Sequence, residues 1–130
     1  MTTFTLLIDS SPERYNAHFN AISFCRSALE QGHQIQQIFF FQDAVRIADS
    51  RLDLPADEWD PQVHWQQLAT SHNLNLEICS AASQRRGLGG AESLEEAEEA
   101  EQAQLAEGFK IGGLGVLVKA SISSDRVIQF

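Results

Sequence analysis

The run Ile35 to Phe41, closing on Ile38-Phe39-Phe40-Phe41, is apolar on both faces of an extended chain. Side chains alternate between the two faces of a strand, so a sheet with one wet side would interleave polar residues here. It does not. Both faces have to be covered, which is the situation of a parallel sheet packed between helices.

The flanking sequence supplies the units for such a sheet. Phe4 to Ile8 is a second apolar run, ended by Asp9-Ser10-Ser11-Pro12. Between the two, Glu13 to Gln31 carries Ala17, Ala21, Phe24 and Ala28 at helical spacing, with Ile22, Cys25 and Leu29 beside them and Gly32 as the stop. Strand, helix and strand make a right-handed βαβ unit. His33, just past Gly32, is expected to satisfy the last helical carbonyls or to face water.

Further along, Asp43 to Ala48 reads as a short helix capped by Asp43, and Asp49 to Pro61 as an acidic surface loop. Pro61 to Ser71 suits a helix with Pro61 in its first turn, followed by a strand over Leu74 to Cys79. Ser93 with Glu96 forms a capping-box pattern before the run Glu95 to Glu101, whose glutamates repel one another; a solvated face is the simplest reading. Phe109 to Ile111 is a short strand. Gly112-Gly113-Leu114-Gly115 then leads into a helix with Leu114, Leu117, Val118 and Ile122 on one side, and Asp125 to Phe130 is an apolar strand that completes the sheet. The glycines lack the spacing of a dinucleotide fingerprint or a P-loop, so a tight turn with close packing is expected there.

The whole is a single α/β domain over residues 1–130, with a mostly parallel sheet of about five strands flanked by helices on both faces. A length of 130 residues with 43% hydrophobic content suits one domain with a core of useful size. The net charge of −9 opposes direct binding of nucleic acid or an anionic membrane, since counterion release needs a basic patch. Two cysteines on different elements are no disulfide scaffold and point to a reducing cytoplasm. The first residues lack a signal-peptide pattern, and no apolar run reaches the ~20 residues of a membrane span. His64 and His72 form no metal pattern with either cysteine, and no cofactor is implied.

Chemistry concentrates at Cys79. It ends an apolar run and stands before Ser80-Ala81-Ala82-Ser83, small residues that can open a helix. A cysteine there meets unpaired N–H groups and the positive end of a helix dipole, which favour thiolate, the nucleophilic form. The C-terminal end of a parallel strand is also where open α/β sheets gather ligands. The competing reading is a small buried hydrophobe, and for Cys25, inside an apolar helical stripe, that reading is preferred. Without a Cys-x-x-Cys pair, dithiol exchange is disfavoured, and sulfur carriage as a persulfide fits better. Arg85 and Arg86 either lend positive charge to the anionic sulfur or pair with carboxylates.

Five segments in order carry a resemblance over nearly the whole chain. They are Gly32-His33 before the strand, Trp65-Gln66-Gln67-Leu68, Cys79 through Arg85-Arg86-Gly87, Gly108-Phe109 through Gly113-Leu114-Gly115, and Asp125-Arg126-Val127 with Phe130. Together they resemble the DsrE/TusD type of sulfurtransferase subunit, of the DsrE/DsrF-like family. The resemblance implies that Cys79 accepts a persulfide sulfur from a small TusA-like carrier and passes it to a TusE/DsrC-like acceptor. It also implies assembly with two smaller related subunits, TusB/TusC-like or DsrF/DsrH-like, in a heterohexamer. TusD-type members serve 2-thiolation of the tRNA wobble uridine, and DsrE-type members serve sulfur oxidation; the Trp65-Gln66-Gln67-Leu68 wording leans toward the first. Two departures concern the rim around the site: Asp9 to Arg14 lacks a glycine common in relatives, and Ala44 replaces another. A non-catalytic scaffold with a packed Cys79 and, less favoured, a flavodoxin-like nucleotide binder are the alternatives from other classes.

Overall fold

The computed structural model describes residues 1–88 and 104–130. Strands β1 (Thr3–Ile8), β2 (Gln34–Phe40), β3 (Leu76–Cys79), β4 (Phe109–Gly112) and β5 (Arg126–Gln129) form one sheet in the order β4-β3-β2-β1-β5. Every pairing is parallel. The helices are α1 (Tyr15–Glu30), α2 (Pro61–His72), α3 (Ser80–Arg85) and α4 (Leu114–Ser123), with a 3₁₀ helix over Gln42–Ala48. The capping-box pattern at Ser93 and the acidic run Glu95 to Glu101, read as a solvated face, lie outside the described residues.

This order explains the two-sided burial of β2. From β1 to β4 the chain steps one place along the sheet each time, so right-handed crossovers stack α1, α2 and α3 on one face. From β4 it returns across three strands to β5, and the same handedness puts α4 on the other face. Trp65 of α2 meets Phe40 edge-on, with ring centroids 5.2 Å apart. On the opposite face the Thr5 hydroxyl donates to the Ala120 carbonyl of α4 at 3.4 Å. Ile38, Phe39 and Phe40, in the middle strand, are fully buried. At roughly 25 cal/mol per Å2 of apolar surface, such residues are the main source of stability.

Several boundaries move for local reasons. Helix α1 starts at Tyr15 rather than Glu13, because the Arg14 N–H closes a turn onto the Ser11 carbonyl and Glu13 reaches out to Arg46 at 2.5 Å. Its end is a Schellman motif: Gly32 takes a φ of +84°, the Gly32 N–H returns to Leu29 O, and the His33 N–H to Ala28 O. The His33 side chain caps nothing; its Nδ1 accepts from the Thr2 N–H at 3.0 Å. Nor does Asp43 cap a helix. The 3₁₀ helix begins a residue earlier, with Gln42 at a φ of +54°, so Asp43 is already inside the first turn and its carboxylate accepts from Arg86 Nε at 2.9 Å. Asp60 does act as a cap, accepting from Gln62 N and Val63 N ahead of Pro61. Strand β3 starts at Leu76 rather than Leu74, since Asn73 takes a left-handed turn after α2.

The apolar side expected for α4 is divided. Leu117 and Val116 pack against the core and Ala120 is buried, whereas Leu114, Val118 and Ile122 are exposed, Ile122 by 81%. Strand β5 is an edge strand, mostly exposed despite its apolar residues.

Candidate functional site at the end of the third strand

Cys79 is the last residue of β3 and the N-cap of α3, with extended backbone (φ −63°, ψ 125°) and no residue between strand and helix. No loop buffers the turn, so Cys79 directly precedes the first N–H groups of α3, which lack intrahelical acceptors, although its side chain makes no cap hydrogen bond to them. Its cross-strand partner is Gly112, at the C-terminal end of β4. Cys79 is 1% exposed, whereas the next residue, Ser80, and the one after Gly112, Gly113, are both exposed. Cys79 is thus held one residue beneath the surface at the ligand edge of the sheet. The sequence placed it at that edge and left a buried reading open, and the depth matches that reading.

The two arginines part company. Arg86 is half-buried and spoken for, with Nε on Asp43 Oδ1 at 2.9 Å and one terminal nitrogen on the Ala82 carbonyl at 3.0 Å. It therefore ties α3 to the 3₁₀ helix. Arg85 is exposed and has no ion-pair partner among the described residues.

Two further residues near Cys79 escaped the sequence reading. Ser83, one helical turn on, is fully buried, and its hydroxyl has no hydrogen-bond partner among the described residues. Glu77 is two residues before Cys79 on β3, hence on the same face of the sheet, and only 7% exposed. Its Oε1 lies 3.3 Å from Lys110 Nζ on β4. Diagonal to it on β4, Gly112 has no side chain: a Cβ there would fall 2.2 Å from Glu77 Oε2 and 3.3 Å from a methyl of Val116. The glycine expected to serve close packing does so, and what it admits is a carboxylate. A Glu within an apolar run was the available signal.

Cys25 is fully buried in α1, and burial pushes its thiol up to about 12. It is inert at neutral pH. His64 is engaged with the Asp60 carbonyl at 2.7 Å and accepts from the Trp59 indole N–H at 3.1 Å. Among the described residues no three His, Cys, Asp or Glu side chains converge as metal ligands, and no helix is long and apolar enough to cross a membrane.

Comparison with known proteins agrees with this architecture. The chain is 40% identical over 129 residues to a protein of Vibrio parahaemolyticus named sulfurtransferase TusD homolog, covering 98% of this chain and 97% of the other. It is 34% identical over 127 residues to the putative sulfurtransferase DsrE of Allochromatium vinosum, at 98% and 97% coverage. Among solved structures, the YchN protein of E. coli shares the fold over the full length of both chains, with a TM-score of 0.77 at 21% identity. The model of the DsrE/DsrF-like family matches residues 3–130. The chain belongs to the DsrE/DsrF-like family.

Proposed function

We propose that this chain is a sulfurtransferase that carries sulfur as a persulfide on Cys79. The observation that carries the reading is the position of Cys79, which ends β3, opens α3 without a loop and lies at the ligand edge of the sheet. In the loading step the Cys79 thiolate attacks the outer sulfur of a donor persulfide. The new Sγ–S bond forms as the donor S–S bond breaks, and the electron pair leaves on the donor's own sulfur as a thiolate. Delivery repeats the exchange, with an acceptor thiolate attacking the outer sulfur on Cys79. No net oxidant is needed in either step.

The donor we assign is a TusA-like carrier, the acceptor a TusE/DsrC-like protein, and the pathway 2-thiolation of the tRNA wobble uridine in the cytoplasm. The acidic chain does not itself bind RNA. The partners within the assembly are two smaller related subunits in a heterohexamer. The exposed apolar row Leu114, Val118 and Ile122 on α4, with Val127 nearby in sequence, supports an assembly surface. Arg85 is the freer of the two arginines to approach an anionic sulfur; Arg86 acts by fixing α3.

The burial of Cys79 favours one second reading, a scaffold subunit whose cysteine is only packed. Relay requires the edge around Cys79 to open when a partner docks, and a helix of six residues has few hydrogen bonds to hold it shut. Intact-mass measurement after incubation with a persulfidated carrier separates the two. Relay gives a gain of one sulfur that disappears in Cys79→Ser; no gain on the wild type, alone or within the assembled complex, leaves the scaffold.

A further inference from the structure

We propose that the Glu77–Lys110 ion pair governs whether Cys79 keeps its proton, with Lys110 cancelling a buried carboxylate that would otherwise hold that proton on sulfur. This rests on the reading of Cys79 as the reactive thiol.

The geometry is set by the register of β3 on β4. Glu77 pairs with Lys110 and Cys79 with Gly112, so these four positions form a square on one face of the sheet. The Glu77 carboxylate does not turn away from Cys79. Oε1 reaches Lys110 Nζ at 3.3 Å, and Oε2 lies 2.2 Å from where the Gly112 Cβ would be. That missing atom would stand directly across from the Cys79 Cβ, at about the 4.8 Å spacing of neighbouring strands. The carboxylate therefore lies within about 7 Å of the Cys79 Cβ.

A carboxylate at that range, only 7% exposed, disfavours a second negative charge beside it. Left alone, it would oppose the thiolate that sulfur transfer requires. An ammonium on its far oxygen offsets that penalty, and Lys110 is held there from the adjacent strand. Among the described residues no other element supplies an equivalent charge. Strand β2 is uncharged from Gln34 to Phe40, and Gln37, on the same face, turns its amide to the Ile38 carbonyl. At the end of α3, the C-cap Arg86 is engaged with Asp43 and Arg85 is exposed; on α4, the one charged residue, Lys119, is exposed as well. Glu77 and Lys110 are accordingly positioning residues, acting through the thiol.

The test is the pH dependence of Cys79 alkylation by iodoacetamide, read at that residue by mass spectrometry. It compares the wild type with Lys110→Met, Glu77→Gln and the double variant. Lys110→Met should raise the midpoint by about one unit and lower the neutral-pH rate about tenfold. Glu77→Gln should move the midpoint down, and the double variant should return it close to the wild type, since the two charges act as one unit. Should Lys110→Met not fold, Glu77→Gln and the double variant still decide the matter. Unchanged midpoints in the folded variants, or equal shifts for Glu77→Gln and the double variant, overturn the proposal. Sulfur loading of the wild type is measured alongside. A wild type that loads sulfur while the midpoints stay fixed defeats only the ion-pair proposal; midpoints that move as stated in a protein that never loads sulfur defeat only the relay.

Discussion

Trp65 donates its indole N–H to Nδ1 of His18 at 3.0 Å, and Nε2 of the same ring lies 2.9 Å from the Ser10 carbonyl. The imidazole is thereby fixed in its neutral Nε2–H form, joining α1 and α2 to the loop after β1. His18 is fully buried, and burial lowers its pKa below the usual 6.5. The unfolded chain takes up a proton near 6.5 while the folded chain does not. The stability contributed by His18 is therefore complete above that pH and is lost as pH falls from 6.5 through the folded value. Unfolding free energies from urea titration should decline from pH 7 to pH 5 with a slope of up to about 1.4 kcal/mol per pH unit from this residue. In His18→Gln, which keeps an acceptor for Trp65, that part of the slope should vanish. An identical decline in the variant would show that His18 is not its source.

The two cysteines should respond differently to alkylation. With the Cys25 thiol raised to about 12 by burial, only a minute fraction is thiolate at pH 8. Native-state modification with iodoacetamide should label Cys79, slowly and through transient opening of the six-residue α3, and spare Cys25 until denaturant is added. Labelling of Cys25 at a comparable rate would contradict its placement in the core.

Ser83 is a local liability. A buried hydroxyl without a partner costs roughly 1–3 kcal/mol relative to one that is satisfied. Ser83→Ala should leave the fold intact and raise the melting temperature by about 3 °C, corresponding to about 1 kcal/mol in a domain of this size. A lower melting temperature would mean that the hydroxyl has a use in the folded protein.

Gly112→Ala should cost about 1–3 kcal/mol, because the added methyl claims the place of Glu77 Oε2 and drives the carboxylate off Lys110. Most of that loss should be recovered in Glu77→Ala/Gly112→Ala, where the space is free. Chemical denaturation of the two variants measures the coupling. Purely additive losses would show that the carboxylate and the glycine are independent.

On the outer row of α4, Ile122→Lys should change monomer stability by less than about 0.5 kcal/mol, since the residue is 81% exposed. It should nonetheless reduce the mass of the complex recovered with the related subunits, measured by light scattering. An undiminished complex would place the assembly surface elsewhere.

Much of the fold was legible because burial leaves a mark on sequence. Ile38-Phe39-Phe40 has no polar alternate, and that alone required helices on both faces of a parallel sheet. Pro61 marked the start of α2, and Gly32 the end of α1. The misreadings share a cause, which is that a polar side chain near an element's end has several partners in reach and only tertiary structure chooses among them. Asp43 went to Arg86 rather than to a helix N-terminus, and His33 to Thr2 rather than to α1. At the site, Cys79 was legible from strand-to-small-residue punctuation. Its depth stood only as one of two readings, because exposure at a sheet edge depends on how α3 and β4 close around it. Glu77 stood out as a carboxylate in an apolar run, but its pairing with Lys110 depends on the register with β4, which no local pattern specifies. The division of α4 into packed and exposed apolar residues was equally invisible, since periodicity finds a stripe without saying what covers it.

The pairing of β5 with β1 has a kinetic corollary. Strands β1 and β2 are brought together by a single helical crossover, but the other flank of β1 is closed by a segment 122 positions away, as the Thr3–Asp125 hydrogen bond records. Closing so long a loop costs entropy before any ladder bond is returned. The β1-α1-β2 unit can therefore assemble early with one bare edge, and the chain is most prone to wrong strand partners in the interval before Arg126–Gln129 zips onto it.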